Sequence, residues 1–284
     1  MTETINAIII SFNDYDSLVE TINSIKDQVD LVTIVDNGSE EYHINKIKNN
    51  LSNYCKVIEL EHNKGIGAAL NIGVLYSIEN SFDWVLTLDQ DSISSCNLVS
   101  NLLDLYRFYP DAGMTCPSID GNIGIKISRN GNSRIKTAIT SGNLIKTNIF
   151  LNIGLYNEEY FIDNVDFEFC LRLINHGYTI HMSNSAQLRH SLGTVVNVKI
   201  FLFQYKYISH NPNRRYYIFR NNFYISKQYF KMEPILIIKK NILLIKYFIE
   251  ILIFDKHKFE NIKMINFAVI DFMNKVIGKN PHEI

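Results

Sequence analysis

The segment of this chain best suited to chemistry is Asp89-Gln90-Asp91-Ser92. Two carboxylates one residue apart project to the same side of an extended backbone. Side by side they repel, and the arrangement is costly unless a cation sits near them. Oxygen ligands with no Cys or His alongside suit Mg2+ or Mn2+, whose remaining ligands are commonly phosphate oxygens. The competing reading has Asp91 or Ser92 capping a following helix. The place of the pair directly after the apolar run Trp84–Leu88 favours the metal.

Four other segments carry candidate side chains. Asp36-Asn37-Gly38-Ser39 is turn chemistry by itself, although its carboxylate could accept hydrogen bonds from a base or ribose. The stretch from Asn63-Lys64-Gly65-Ile66-Gly67 to Asn71 is rich in Gly and Ala ahead of a helix. Such a backbone can approach a ligand closely, and a helix N-terminus attracts phosphate. It has neither the GK[ST] ending of a Walker loop nor the GxGxxG pattern. Asp163-Asn164-Val165-Asp166-Phe167-Glu168 sets three acids at the start of a short helix. They serve either as caps and dipole partners, the simpler reading in isolation, or as a general base beside an acceptor hydroxyl. His190, ahead of Ser191-Leu192-Gly193, is either structural or a metal or phosphate ligand.

The elements that must position these groups alternate strand and helix patterns. Ile5–Ser11, Leu31–Val35, Lys56–Leu60 and Trp84–Leu88 read as strands. Helical spacing covers Asp16–Gln28, Tyr42–Leu51 and Gly67–Ile78 between them. Continuous apolar strands separated by helices predict a parallel sheet covered on both faces. Ligands of such sheets bind at the carboxyl ends of the strands, where Asp36 and Asp89 fall. Residues 96–108 read as a further helix. Turn signals at Asp120-Gly121 and Asn130-Gly131 predict short strands and a hairpin over 112–145. A short helix over Phe167–Asn175 closed by Gly177 precedes short strands at Thr179–Met182 and Ala186–Leu188.

The 284 residues divide by charge. Residues 1–198 hold 13 Lys+Arg and 23 Asp+Glu, net −10, and residues 199–284 hold 15 and 6, net +9. Such asymmetry points the tail at something anionic. Within 201–230 aromatics alternate with Arg and Lys and no acid. Ile235–Phe254 is strongly apolar but broken by Lys239, Lys240, Lys246 and Glu250. That pattern fits an interfacial helix or a core-packing helix pair, not a spanning one. The division predicted is a catalytic domain over 1–198 and a basic, aromatic, mainly helical extension over 199–284. Cys55, Cys96, Cys116 and Cys170 form no metal or redox spacing and read as small core residues of a reduced compartment. No secretory leader is visible at Met1–Asn6. The expected location is cytoplasmic, with a peripheral place on the inner face of the cell membrane left open.

In order, these segments resemble inverting glycosyltransferase family 2, and within it the rhamnosyltransferase-like members. The matching pieces are Ile9-Ile10-Ser11-Phe12-Asn13, Val35-Asp36-Asn37-Gly38-Ser39, Asn63-Lys64-Gly65-Ile66-Gly67 with Asn71, and Thr87-Leu88-Asp89-Gln90-Asp91-Ser92. They continue through Ser141-Gly142, Phe161–Arg172, His190 with Gly193, and Arg215-Tyr216-Tyr217 with Arg220-Asn221. The likeness covers about residues 5–225. It implies a GT-A fold: a Rossmann-like, mostly parallel sheet flanked by helices, with a helical C-terminal extension.

The resemblance also implies roles. Asp36 would hold the donor's pyrimidine or ribose, with Ser11, Phe12 and Asn13 beside the base and Asn37, Asn63, Lys64, Gly67, Asn71 and Gln90 on the nucleotide side. Asp91 would ligate Mg2+ or Mn2+ on the diphosphate, with Asp89 near the ribose and His190 completing the metal site. Asp166 would be the general base, with Asp163 the alternative because Val165 stands where many relatives carry an acid. Ser141, Gly142 and Glu168 would lie on the acceptor side. The implied activity is transfer of one sugar, rhamnose from dTDP-rhamnose as first choice or a UDP-hexose otherwise, to a glycan carried on a lipid. The basic tail would face an anionic membrane. A nucleotide-sugar-binding protein without transfer activity keeps the metal site but not the acceptor site. A sugar nucleotidyltransferase wants a basic Gly-rich signature that Ser11–Tyr15 lacks, and the apolar Ile235–Phe254 does not suit a nucleic-acid partner.

Overall fold

The computed structural model describes residues 3–120, 132–190, 194–200 and 203–283. The Gly121 end of the first expected turn, the Asn130-Gly131 turn, and Ser191-Leu192-Gly193 lie outside the described residues. Two compact units result, one of Met1–Glu158 with Val165–Ser191 and one of Glu159–Asn164 with Leu192–Ile284.

The first unit is built in chain order from β1 (Ile5–Ser11), α1 (Tyr15–Ile25), β2 (Leu31–Asp36), α2 (Glu41–Leu51), β3 (Lys56–Glu59), α3 (Ile66–Glu79) and β4 (Trp84–Asp89). It continues through β5 (Ile93–Ser94), α4 (Leu98–Phe108), β6 (Ala112–Asp120), β7 (Ser133–Ile135), β8 (Asn143–Lys146), α5 (Thr147–Ile153), α6 (Val165–Asn175) and β9 (Thr179–Arg189). One sheet runs β3-β2-β1-β4-β8-β6-β9-β5, with β7 on β9. The β3-β2-β1-β4 portion is parallel, as the apolar runs predict. All seven residues of β1 are buried, as a strand covered on both faces requires. Each wholly buried Ile or Leu, such as Ile9, Leu18, Ile34 and Leu86, contributes about 1.5–3 kcal/mol.

Two details depart from the sequence reading. The two short strands expected after residue 178 are a single strand, β9, because an irregularity in its pairing absorbs the intervening residues. Pro117 pairs with Ser183 but Ser118 with Gln187, so the strand continues past an unpaired stretch. Of the four cysteines, Cys55, Cys116 and Cys170 are buried as expected, but Cys96 is exposed.

The second unit holds β10 (Thr194–Ile200), β11 (Phe203–Ser209), α7 (Pro212–Tyr229), α8 (Pro234–Phe254) and α9 (Lys258–Met273). A mainly helical extension was expected; the antiparallel pair β10–β11 ahead of the helices was not. The alternation Phe203, Tyr205, Tyr207 is a strand signal too short to separate from the helical aromatics after it. α7 starts at Asn211, whose Oδ1 accepts from the Arg214 amide at 2.7 Å, followed by Pro212 in the first turn. The Arg-Tyr-Tyr and Arg-Asn motifs of α7 are interior. Arg215 and Arg220 are fully buried, and Arg220 stands over the rings of Tyr216 and Tyr217, 5.0 and 5.2 Å from their centroids. The buried Asn221 donates through Nδ2 to the carbonyls of Tyr160, Ile162 and Asp163, at 2.8–3.0 Å. It thereby holds a segment with Phe161, Asp163 and Asn164 at positive φ. Among the described residues no helix is long and apolar enough to cross a membrane.

Candidate active site

The parallel strands set the stage. β1 lies between β2 and β4, with Ser11 opposite Asp36 and Ile10 opposite Asp89. The chain leaves β1 to build β2 and β3 on one side, then returns to lay β4 on the other. Three carboxyl ends thus open at a switch point of the sheet.

Asp89, Asp91 and His190 converge there, each offering a ligand atom within 4.8 Å of the others. His190 Nδ1 is 3.2 Å from Asp91 Oδ1, and Nε2 is 3.6 Å from Asp89 Oδ2. Two carboxylates and one imidazole in this spacing fit a hard divalent cation. The histidine stands 99 residues beyond Asp91 in sequence. It arrives because the short strand β5 pairs antiparallel with the end of β9, Ile93 opposite Arg189.

A chain of hydroxyls braces this site from beneath. Ser141 Oγ accepts from the Asp89 amide at 3.0 Å and donates to Ser92 Oγ at 2.7 Å, and Ser92 Oγ lies 2.9 Å from His190 Nδ1. Both serines are fully buried. Thr21 of α1 fixes the same turn, donating to the Gln90 carbonyl at 2.7 Å and accepting from the Ser92 amide at 3.1 Å. Ser141, Gly142 and Glu168, expected on the acceptor side, are all buried. The Ser141 hydroxyl is used under the carboxylates, and the Gly142 amide donates to the Thr87 carbonyl at 2.6 Å. Glu168 is buried and grips Arg172 through both oxygens, at 3.0 and 3.1 Å.

Gln90 is tied to the first strand. Its Oε1 accepts from the Phe12 amide at 2.7 Å and its Nε2 donates to the Phe12 carbonyl at 3.1 Å. The middle residue of the acidic pair thus sets the turn after β1, where the Phe12 ring is exposed. Ser11 Oγ is buried with no hydrogen-bond partner among the described residues.

Asp36 is wholly buried and its two oxygens accept from Ser39, from the amide at 2.8 Å and the hydroxyl at 2.6 Å. Asn13 joins this turn, taking the Glu40 amide on Oδ1 at 2.8 Å and donating its own amide to Ser39 Oγ at 2.9 Å. Gly38 is obligatory: it has φ +81°, and a Cβ would lie 2.4 Å from the His62 carbonyl carbon. That close approach lets Asn37 reach the next loop, with Nδ2 3.2 Å from Asn63 Oδ1 and Oδ1 accepting from the Lys64 amide at 3.0 Å. The Lys64 side chain is exposed. Gly67 and Asn71 contact a different segment. A Cβ on Gly67 would meet the Asn157 carbonyl at 2.9 Å, and Asn71 binds the backbone of Tyr156 through both ends of its amide, at 2.8 and 2.9 Å. They fasten the segment at 156–158.

The two candidate bases differ. Asp166 is partly exposed in the first turn of α6, with Oδ1 2.7 Å from the Phe167 amide. Asp163, in the second unit, has both oxygens on Arg214, whose Nε and Nη2 lie 3.1–3.2 Å away. Sequence reasoning named neither Ser92 as part of the imidazole's support nor Thr21; no local signal marks them.

Comparison with known proteins places these residues in context. A family model described as Glycosyl transferase family 2 matches residues 7–165, more than half of the chain. The chain is 28% identical over 302 residues to the dTDP-rhamnosyl transferase RfbF of Shigella flexneri, across 98% of each. Among solved structures it is similar to GalNAc-T7 crystallised with UDP, GalNAc and Mn2+, with a TM-score of 0.56 at 15% identity. That match covers 66% of this chain and 44% of the other, so the chain spans less than half the length of that relative. The likeness is one of fold, the GT-A arrangement of a large sheet flanked by helices.

Proposed function

This chain belongs to glycosyl transferase family 2, and we propose that it transfers a single L-rhamnose from dTDP-L-rhamnose to a hydroxyl of a lipid-carried glycan, with inversion. That it is a hexosyl-transferring enzyme follows from its family; the donor, the acceptor and a place in bacterial surface polysaccharide synthesis at the inner face of the cell membrane are the proposal. The convergence of Asp89, Asp91 and His190 at the carboxyl ends of the strands supports metal-dependent transfer, and the likeness to the dTDP-rhamnosyl transferase RfbF supports the donor. A UDP-hexose donor is the alternative with the same chemistry.

Asp91, Asp89 and His190 are the residues that would hold Mg2+ or Mn2+. A cation held there would supply positive charge to the departing nucleoside diphosphate. Ser11, Phe12, Asn13 and Asp36 form the nucleoside end, with Asn37, Asn63 and Lys64 on the adjoining loop. Gly67, Asn71 and Gln90 act by position. Asp166 removes the proton from the acceptor hydroxyl, whose oxygen attacks the anomeric carbon from the face opposite the leaving group, so the configuration inverts. Asp163 is the weaker choice, since its ion pair with Arg214 would have to open before it could take a proton.

The test is thermal stabilisation by UDP, dTDP, GDP and CDP, each with and without Mn2+ or Mg2+. A ligand of the folded state alone raises the melting temperature. The expected result is a metal-dependent rise with dTDP above the others; UDP above dTDP would shift the donor, and no rise with any nucleotide would sink the reading. Gln90→Ala supplies a finer check. Losing two hydrogen bonds to the Phe12 backbone should weaken dTDP binding by up to about 30-fold, each being worth ~1 kcal/mol net. Mn2+ binding in the absence of nucleotide should not change; calorimetry showing equal losses for both would disprove the positioning role.

A further inference from the structure

The longest helix of the second unit leaves a line of aliphatic side chains in solvent. On α8, Ile235, Ile238, Ile242, Ile245, Ile249 and Leu252 recur at alternating steps of three and four. Each is between 44% and 69% exposed. Those steps put all six along one side of the helix, while Ile237, Leu244 and Ile251 bury the other. A stripe of that length on 21 residues, about 31 Å of helix, is far more apolar surface than scattered exposed residues account for.

The charges on the helix are arranged to match. Lys239 and Lys246 are exposed along one border of the stripe. Glu250, the helix's only acid, is turned inward, accepting the Tyr205 hydroxyl at 2.6 Å with Lys246 Nζ at 3.5 Å. α8 therefore presents cations and no carboxylate beside its apolar stripe. Elsewhere in the unit the arginines of α7 do not add to this surface: Arg215 and Arg220 are interior and Arg214 pairs with Asp163.

Steps of three and four are also the seam of a coiled coil, so a second copy could cover the stripe. The flanks oppose it. Lys239 and Lys246 occupy the same border position of successive heptads, and the opposite border holds Asn241 and Phe248. Antiparallel copies would set lysine against lysine, and parallel copies would offer the lysines no acid. A bilayer with anionic headgroups satisfies both features at once, since acyl chains receive the stripe and phosphates receive the lysines.

We propose that α8 lies in the plane of an anionic bilayer surface, with the Ile235–Leu252 stripe among the acyl chains and Lys239 and Lys246 among the headgroups. This deepens the proposed membrane-side acceptor and rests on it for its purpose: the enzyme would be held where a lipid-carried glycan is presented.

The test is cosedimentation of the full chain with vesicles of phosphatidylcholine, alone or with about one-third phosphatidylglycerol, at low and high salt. Binding should be strong to the anionic vesicles and fall with salt without vanishing. Ile242→Asp with Ile245→Asp should lower it about 100-fold or more, the scale of withdrawing two Ile side chains from an apolar phase. Lys239→Glu, which leaves the stripe intact, should lower it about tenfold and flatten the salt dependence. Both variants should keep transfer to a water-soluble acceptor, so loss of vesicle binding and loss of catalysis are read separately. Wild-type protein left in solution at low salt would overturn the proposal. So would unchanged binding by the double variant, or a wild-type oligomer that the same double substitution converts to monomer without vesicle binding by either.

Discussion

Asp91→Ala is expected to abolish Mn2+ binding at the Asp89–His190 site and to cut turnover by about 10³-fold or more. The magnitude follows from losing the cation that Asp91 would hold against the leaving diphosphate, a contribution of several kcal/mol at about 1.4 kcal/mol per tenfold. The effect should not come from unfolding. Asp91 is 40% exposed in its side chain and contacts His190. Its neighbour Asp89 carries the same charge, so without metal the substitution relieves repulsion. The melting temperature of the metal-free protein should stay level or rise slightly. Electron paramagnetic resonance of bound Mn2+ and a melting curve decide it. A variant that binds Mn2+ as tightly as wild type would move the metal elsewhere, whatever its activity.

Asp166→Asn is expected to lower kcat by about 10²–10⁴-fold, the range of a lost general base, while dTDP affinity stays within about twofold. Asparagine keeps the shape and can still accept at Oδ1 from the Phe167 amide, so the start of α6 is preserved. The comparison variant is Asp163→Asn. Asparagine tolerates the positive φ of 61° that Asp163 adopts, so the backbone is not strained. The lost ion pair with the partly exposed Arg214 should cost about 1 kcal/mol at most, and turnover should fall no more than a few-fold. Single-turnover transfer with saturating donor separates the two. If Asp163→Asn loses the larger factor, the base is Asp163, and the Arg214 pair is a resting arrangement that the acceptor must break.

Much of the supporting structure acts through position. Asn37 and Asn63 link two loops, Asn71 binds Tyr156, and Asn221 gathers three carbonyls of residues 160–163. An amide side chain suits this because it donates and accepts at once and carries no charge to desolvate. The recurring asparagines of the chain are thus partly accounted for by loop fastening, a role that composition alone does not suggest.

The sequence by itself determined the parallel half of the sheet, the strand ends that carry Asp36 and Asp89, and the acidic pair. These are local properties: apolar periodicity fixes an element, and a one-residue spacing fixes which side two carboxylates share. The tertiary structure alone decided the rest. His190 reaches Asp91 only through the pairing of β5 with β9. The buried Ser141 hydroxyl meets the amide of Asp89, 52 residues away, and Gln90 spends its amide on Phe12, 78 residues away. In the tail, the basic and aromatic residues were legible but not their sides; folding sends Arg215, Arg220 and Glu250 inward and leaves Ile235, Ile238, Ile242, Ile245 and Ile249 of α8 outside. Contacts between distant segments depend on the summed packing of the whole sheet and its helices, and no spacing along the chain encodes them.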